Sequence, residues 1–275
     1  MIDQADYSFN GDLAAAAFDK QAAVFDEIYS SNTIIQYKRD RVWKHLMERI
    51  RPGSRILELN AGTGEDAIYL ASMGHRVHAT DISQAMLTRL EDKRRKAGLD
   101  DLISSERCSF SELAKLHNPG PYDLIFSNFA GLNCSPKLAD VIHQFKPLLK
   151  PGGLVTLVVM PPFCLWEILL VFRGKFKTAF RRLFAQKGRL AHIEGEYFRC
   201  WYYHPHFLIK HLKKEFDLES LEGLCSLVPP SYLENFAEKH AKFYRFLENS
   251  ERRLKGSWPW KNIGDYFIIT LRKRI

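Results

Sequence analysis

The chain has 275 residues, 46% hydrophobic and 13% aromatic, enough to bury a sizeable core, so a soluble globular protein of one elaborated α/β domain or of two is expected. Its formal charge of +8 suits nucleic acid, an anionic membrane surface or an anionic small molecule, and does not choose among them. Cys108, Cys134, Cys164, Cys200 and Cys225 are scattered without a C-x-x-C pair, which suggests neither a disulfide framework nor a zinc site. The first six residues are polar and acidic, and the apolar tract 154–170 is broken by Pro161, Pro162 and Glu167, so the chain reads as cytoplasmic, without a signal peptide or membrane span.

In chain order, residues 10–30 carry Phe18, Ala22, Phe25, Asp26 and Tyr29 at helical spacing, and a second amphipathic helix is predicted over 34–50, ending at Arg51-Pro52-Gly53. A first strand, Ile56-Leu57-Glu58-Leu59, stops at the loop Asn60-Ala61-Gly62-Thr63-Gly64, where a helix begins at once. That helix is predicted to end at Met73, with Gly74 as left-handed cap, and a second strand over 76–80 then delivers Asp81 at its carboxyl end. Gly62 and Gly64 let the backbone turn tightly and a ligand approach, with N–H groups of the helix start facing it. The Asp81 carboxylate suits the vicinal hydroxyls of a ribose. Gly62-x-Gly64-x-x-Ala67 also satisfies the relaxed dinucleotide fingerprint, so a nicotinamide-dependent oxidoreductase stays open. Glu58 beneath the loop counts against it, because a carboxylate repels pyrophosphate and attracts an ammonium group.

Residues 58–64, E-L-N-A-G-T-G, resemble the first motif of the class I S-adenosylmethionine (SAM) dependent methyltransferases, usually written Asp or Glu, a small residue, Gly-x-Gly-x-Gly. Asn60 and Ala61 stand where that family commonly has Gly-Cys or Gly-Ala. The resemblance implies a Rossmann-like α/β fold: a seven-stranded, mostly parallel sheet with an antiparallel last strand, helices on both faces and helical insertions forming a lid. It implies SAM as cofactor, S-adenosylhomocysteine as product, and cofactor contacts from Glu58, Asn60, Ala61, Gly62, Thr63, Gly64, Asp81 and Ile82. Amino-terminal helices of the form F-D-x-x-A-x-x-F-D-x-x-Y lie across the cofactor pocket in similar proteins, so Tyr29 is placed over the SAM; the alternative is a helix simply packed on the sheet.

A helix over 83–96 with Met86, Leu87 and Leu90 inward and a third strand over 103–107 follow. Ser109 and Phe110 then stand where the family contacts adenine, one able to bond the exocyclic amine or a ring nitrogen, the other to stack. A fourth strand, 122–127, runs into a loop that lies by the reactive methyl in the family, which puts Asn128, Phe129 and Asn133 at the transfer site; a polar loop capping the next helix is the alternative. The N-P-P-Y tetrapeptide of methyltransferases acting on nucleic acid bases is absent. Lys150-Pro151-Gly152-Gly153 reads as the turn before a fifth strand over 154–160.

From 161 to 200 the pattern departs. Phe172, Phe176, Phe180, Leu183 and Phe184 fall on one helical face among seven Lys and Arg residues, with no acid between Glu167 and Glu194. A basic amphipathic insertion is predicted, as a lid over the acceptor, with docking on an anionic membrane or on RNA backbone as alternatives. A helix to Lys214, a sixth strand over 216–226, a second helical insertion from Val228 and a terminal strand over 266–271 complete the sheet. The chain is read as one domain, with helices over the cofactor site at 1–50, a SAM-binding core at 51–160, insertions at 161–200 and 228–262, and the end of the sheet at 201–227 and 263–275. Asn133, Tyr202, Tyr203 and His204 are candidate acceptor contacts; Tyr197 is a further pocket wall, His192, His204 and His206 are candidate bases, and none is assigned as catalytic. Direct in-line transfer to an oxygen or nitrogen of a small-molecule acceptor needs no metal. Nucleic acid and peripheral membrane contact are the less favoured partners, and oligomeric state is not read.

Overall fold

The computed structural model describes residues 4–30, 32–233 and 235–275, so Met1, Ile2 and Asp3 of the polar amino-terminal run lie outside the described residues. Strand β1 (Arg55–Leu59) is buried along its whole apolar run and sits in the middle of a seven-stranded sheet. β2 (Arg76–Asp81) and β3 (Ile103–Arg107) lie to one side of it, β4 (Tyr122–Ser127) and β5 (Leu149–Val159) to the other, all parallel. After the separate hairpin β6 (Arg189–Ile193) and β7 (Glu196–Cys200), β8 (Phe216–Leu224) and β9 (Tyr266–Lys273) close the order β3-β2-β1-β4-β5-β9-β8, with β9 antiparallel to both its neighbours. The order reverses between β1 and β4. Their carboxyl ends therefore open a crevice, the place where sheets of this kind bind ligands.

Alternation along the strands builds two cores. Ile56, Leu124, Leu154 and Ile268 point to one face, and Leu57, Ile125, Val155 and Ile269 to the other. α1 (Gln4–Gln21), α2 (Phe25–Ser30) and α3 (Thr33–Met47) precede the sheet, while α4 (Glu65–Ser72) and α5 (Gln84–Lys96) connect its first strands. Residues 10–30 are thus two helices, not one. The cap of α4 is as expected, with Gly74 at φ +85° after Met73.

Two predicted elements differ. Lys150–Gly153 is not a turn ahead of β5 but an irregularity within it. The ladder steps from Tyr122↔Leu149 directly to Leu124↔Leu154, and Gly152 at φ +72° lets the extra residues loop out. Residues 161–200 do not form a long amphipathic helix. They make short turns over Leu165–Ile168, Leu169–Arg173 and Phe176–Ala179, interrupted by Gly174 at φ +69°, and then the β6–β7 hairpin. Ile193 pairs with Glu196 across the two-residue turn Glu194-Gly195, both at positive φ, as a type I′ turn requires. The hairpin's inner face, Ala191 and Phe198, packs on Ala14, Ala17 and Phe18 of α1.

Buried ions join the insertions to the sheet. Asp265 accepts from Lys38 Nζ at 2.9 Å and pairs with Arg182 at 2.6 Å, and Arg182 also pairs with the fully buried Glu167, which holds Arg181 as well. Cys164, Glu167 and Asp265 lie within 4.8 Å of one another. Their carboxylates already face these cations, so the cluster reads as an ion-pair network and not a metal centre. Burial alone would raise the Asp265 carboxyl, but Lys38 and Arg182 outweigh it and hold it down at about 2. A carboxyl whose folded value is depressed contributes stability above its ordinary value near pH 4 and loses it as pH falls toward 2. The thermal midpoint of the wild type is therefore expected to fall steeply between pH 4 and pH 2. That of Asp265→Asn should start lower and fall less over the same interval. Parallel curves would remove Asp265 as the source.

Candidate functional site

A cavity of about 460 Å³ opens at the carboxyl ends of β1, β2 and β4. It falls in the range of small-ligand sites. Its floor is the loop after β1. Asn60 sits at φ +49°, a conformation Asn tolerates, and its amide donates to Asn128 O at 3.1 Å while accepting from Ser127 Oγ at 2.6 Å. A Cβ at Gly131 would lie 2.2 Å from Asn60, so the residue that departs from the usual motif and the glycine after β4 form one staple between the two loops. Phe129 and Ala130 are held at positive φ beside it. Strained backbone of this sort persists where the surroundings over-determine it, often at functional sites.

Three N–H groups of the loop are used internally. Ala61 N donates to Thr80 O at 3.0 Å, Gly64 N to Ala61 O at 3.0 Å, and Gly62 N to Asp81 Oδ2 at 2.8 Å. Asp81 also accepts from Ser83 N at 2.9 Å, which leaves lone pairs on both oxygens for further donors. Burial raises the Asp81 carboxyl, opposed by the amides of Ser83, Gly62 and Ile82. The amides of Gly62 and Gly64 are therefore taken, by Asp81 and by Ala61 of the loop. A pyrophosphate would find these donors already bonded and the walls acidic: among the described residues, Asp12, Glu65, Asp66, Asp81 and Glu112 line the cavity against Arg39 as the one cation.

At one end, Asp66 accepts from Trp43 Nε1 at 2.6 Å and Asn128 Nδ2 at 2.8 Å, and Arg39 lies 3.4 Å from Glu65 and over the ring of Phe129. Arg39 Nε and Glu58 Oε2 are buried without a hydrogen-bond partner. Glu58 lies beneath the lining, and its carboxyl is raised well above the usual range, first by burial and then by Asp66, with Arg39 opposing. An unpartnered guanidinium nitrogen and an unpartnered carboxyl oxygen within electrostatic reach of each other suit a zwitterion. At the other end Asp81 and Ile82 are followed by Met86, Ser109 and Phe110, with Ser109 Oγ 2.7 Å from Ser111 Oγ. Gly11, Ala14 and Phe18 of α1 and Phe25 of α2 form the roof. Asp19 binds α1 to the start of α5, accepting from Ser83 Oγ at 2.5 Å and Ala85 N at 3.1 Å, and Asp26 accepts from Thr63 Oγ1 at 2.7 Å and Lys93 Nζ at 2.8 Å.

Of the residues singled out from the sequence, Asn60, Ala61, Gly62, Thr63, Asp81, Ile82, Ser109, Phe110, Asn128 and Phe129 line the cavity. Others lie elsewhere for identifiable reasons. Gly64 points away, where a Cβ would come within 2.5 Å of Leu90. Tyr29 packs against Phe25, rings tilted and centroids 4.5 Å apart, and Phe25 takes the cavity-facing position. Asn133 is fully buried and bonds both backbone groups of Met160 and Trp201 O at 2.6 Å, fixing the end of β5 to the insertion. The Tyr203 hydroxyl donates to Ser135 O and its ring packs on Phe207. Tyr202 lies under Arg182 and faces a separate cleft, and His204, at the entrance of the helix Pro205–Leu212, is exposed, as are His192 and His206. Among the described residues lining the cavity there is no histidine.

Sequence reasoning gave Arg39, Asp66 and Met86 no place at the site, and from the amino-terminal helical pattern it took Tyr29 where Phe18 and Phe25 line the cavity. Asp66 carried a signal as an acid in the first turn of the helix after the glycine loop; Arg39 carried none, since only tertiary folding brings α3 to the loop.

Residues 56–153 match the family model of a methyltransferase domain. The chain is 36% identical over 195 residues to the demethylmenaquinone methyltransferase of Corynebacterium efficiens, covering 67% of this chain and 78% of that protein. It is 28% identical over 145 residues to the tRNA 5-carboxymethoxyuridine methyltransferase of Escherichia coli K12, covering 51% and 55%. Of two other demethylmenaquinone methyltransferases the chain spans 66% and 63% of the length, under two thirds. A crystal structure of Burkholderia thailandensis 1,6-didemethyltoxoflavin-N1-methyltransferase, with bound 1,6-didemethyltoxoflavin and S-adenosylhomocysteine, shares the fold with a TM-score of 0.56 at 16% identity, covering 96% of this chain and 88% of that one.

Proposed function

The chain belongs to the class I SAM-dependent methyltransferases, and from that premise we propose that it transfers a methyl group from SAM to an oxygen or nitrogen of a small, flat, largely apolar acceptor. The observation that carries the reading is the acid-lined cavity over a glycine loop whose amides are already bonded. It suits a cationic nucleoside and not a dinucleotide.

Arg39 would pair with the carboxylate of the methionine portion and Asp66 with its ammonium, while Glu58 adds negative potential from beneath. Asp81 would accept from the ribose hydroxyls, Ser109 would bond the adenine edge and Phe110 would stack on it. SAM supplies a sulfonium methyl, which the acceptor's lone pair takes as the carbon–sulfur pair returns to sulfur, leaving S-adenosylhomocysteine and a proton for solvent. The protein's part is to hold acceptor and methyl in line and keep water out, and the roof of α1 and α2 closes the cavity for both purposes. Phe18, Phe25 and Phe129 supply apolar walls at the cavity, which supports an aromatic or quinol-like acceptor, in keeping with the name of the Corynebacterium efficiens relative. With no histidine among the described lining residues, an acceptor acidic enough to ionise unaided, such as a phenol, is favoured.

Calorimetry with SAM, S-adenosylhomocysteine and NAD tests the cofactor directly, and binding of NAD without the other two would overturn the proposal. Glu58 gives a sharper result. Its carboxyl, raised by burial, takes up charge when an ammonium arrives, so SAM binding below that raised value is expected to release a proton, read as a heat that varies with the ionisation enthalpy of the buffer. Glu58→Gln should keep the fold, because the amide has nearly the shape of the buried carboxyl and carries no charge. It should lose the proton release and bind SAM about tenfold more weakly, equivalent to about 1.4 kcal/mol. Unchanged affinity and unchanged proton release would exclude Glu58 from the site's electrostatics.

A further inference from the structure

The short turns over 169–184 leave several aromatic side chains in solvent. Phe172, Phe176 and Phe184 are 87%, 57% and 83% exposed, and on the outer face of the β6–β7 hairpin Leu190 and Tyr197 are 55% and 52% exposed. Isolated exposed hydrophobes are ordinary, but several large ones on one segment mark a binding surface. The cations between them, Arg173, Lys175, Lys177, Lys187 and Arg189, are all exposed, and none forms an ion pair among the described residues. Of the acids nearby, Glu167 is buried under Arg181 and Arg182, and Glu194 and Glu196 lie at the turn end of the hairpin, Glu196 paired with Lys20 of α1. The surface is therefore apolar at its tips and positive around them, with no ion pair to these five cations among the described residues.

We propose that this face, the turns of 169–184 with the outer side of the β6–β7 hairpin, docks on an anionic phospholipid bilayer. Aromatic tips seated at the boundary of headgroups and acyl chains, with Lys and Arg side chains reaching phosphate, is the arrangement of interfacial segments. Charge complementarity selects lipid: five unpaired cations of one sign call for a dense anionic surface that accepts donors from any direction. Lys177, Arg189 and Tyr202 further line a cleft between the turns and the hairpin, of a size to admit a headgroup phosphate. The hairpin's inner face packs on α1, the roof of the cofactor cavity, so the docked lipid lies one layer from the site. This inference does not depend on which acceptor is methylated.

Sedimentation with vesicles tests it, using equal parts phosphatidylglycerol and phosphatidylcholine against phosphatidylcholine alone. The full chain is expected to pellet with the mixed vesicles and to stay in solution with the neutral ones. The double variants Phe172→Ser with Phe184→Ser, and Lys175→Glu with Lys177→Glu, should each lower the bound fraction about tenfold with an unchanged thermal midpoint, as both pairs are exposed. Wild-type protein that ignores the mixed vesicles, or variants that bind them as the wild type does, overturn the proposal. Self-association in the ultracentrifuge that Phe172→Ser with Phe184→Ser abolishes, without vesicle binding, would assign the face to a second copy of the chain instead. Retention of tRNA that only the charge variant loses, again without vesicle binding, would assign it to RNA.

Discussion

Asp81→Ala is expected to weaken binding of S-adenosylhomocysteine by about 1–3 kcal/mol while leaving the sheet folded. Two effects combine. In the proposed binding mode the ribose loses its acceptor, and the amides of Gly62 and Ser83, which donate to Asp81 at 2.8 and 2.9 Å, lose theirs, so the loop is no longer fixed. Asp81→Asn separates the two, because the remaining amide oxygen can accept one of those backbone bonds but the nitrogen cannot accept the other. Its loss should lie between the wild type and the alanine variant. Calorimetric titration of all three measures this directly. Affinity unchanged in Asp81→Ala would reduce the residue to a cap of α5 and a brace for the loop.

The second large effect lies away from the cavity, at Glu251, and concerns stability. Its carboxylate is fully buried on the helix Ala241–Leu254 and accepts five bonds: from Tyr37 Oη at 3.0 Å, Arg41 Nη1 at 3.2 Å, and the backbone amides of Cys225, Leu227 and Val228 at 2.9 Å each. Glu251→Ala strands a buried guanidinium and three amides together, and about 3–5 kcal/mol of stability should be lost, read as a lower denaturant midpoint. Glu251→Gln keeps an acceptor oxygen but cancels the charge opposite Arg41, and an intermediate loss is expected. A loss below about 1 kcal/mol in the alanine variant would mean that water or Glu222, 3.5 Å from Arg41, takes over the role.

The sheet was legible because its strands are runs of apolar residues that alternate between two cores, and their limits follow from the glycine and proline residues between them. The cofactor end was legible for a related reason: glycine loop, carboxylate and post-β4 loop are each local signals at strand ends, and topology alone brings the strand ends together. What could not be read are features that depend on rotation or distance. Residues 10–30 show one helical period, yet α1 stops at Gln21 and α2 begins at Phe25, which changes the facing and exchanges Phe25 for Tyr29 at the cavity. Asn133 looked like a pocket residue because it follows β4; its amide is instead taken by backbone groups that no local pattern announces. The insertion shows a helical stripe, but Gly174 breaks it, and its aromatic side chains face outward for want of any element opposite them.

The net charge of +8 conceals a division of sign: the cavity is lined by acids, and the cations crowd the outer face of the insertion. Dissolved electrolyte acts on these two regions unequally. Exposed charges are screened over a Debye length of about 8 Å at physiological ionic strength, whereas buried ones are screened much less. Raising the salt concentration should therefore detach the outer face from an anionic surface well before it empties the cavity, so the protein could leave its surface still carrying its cofactor.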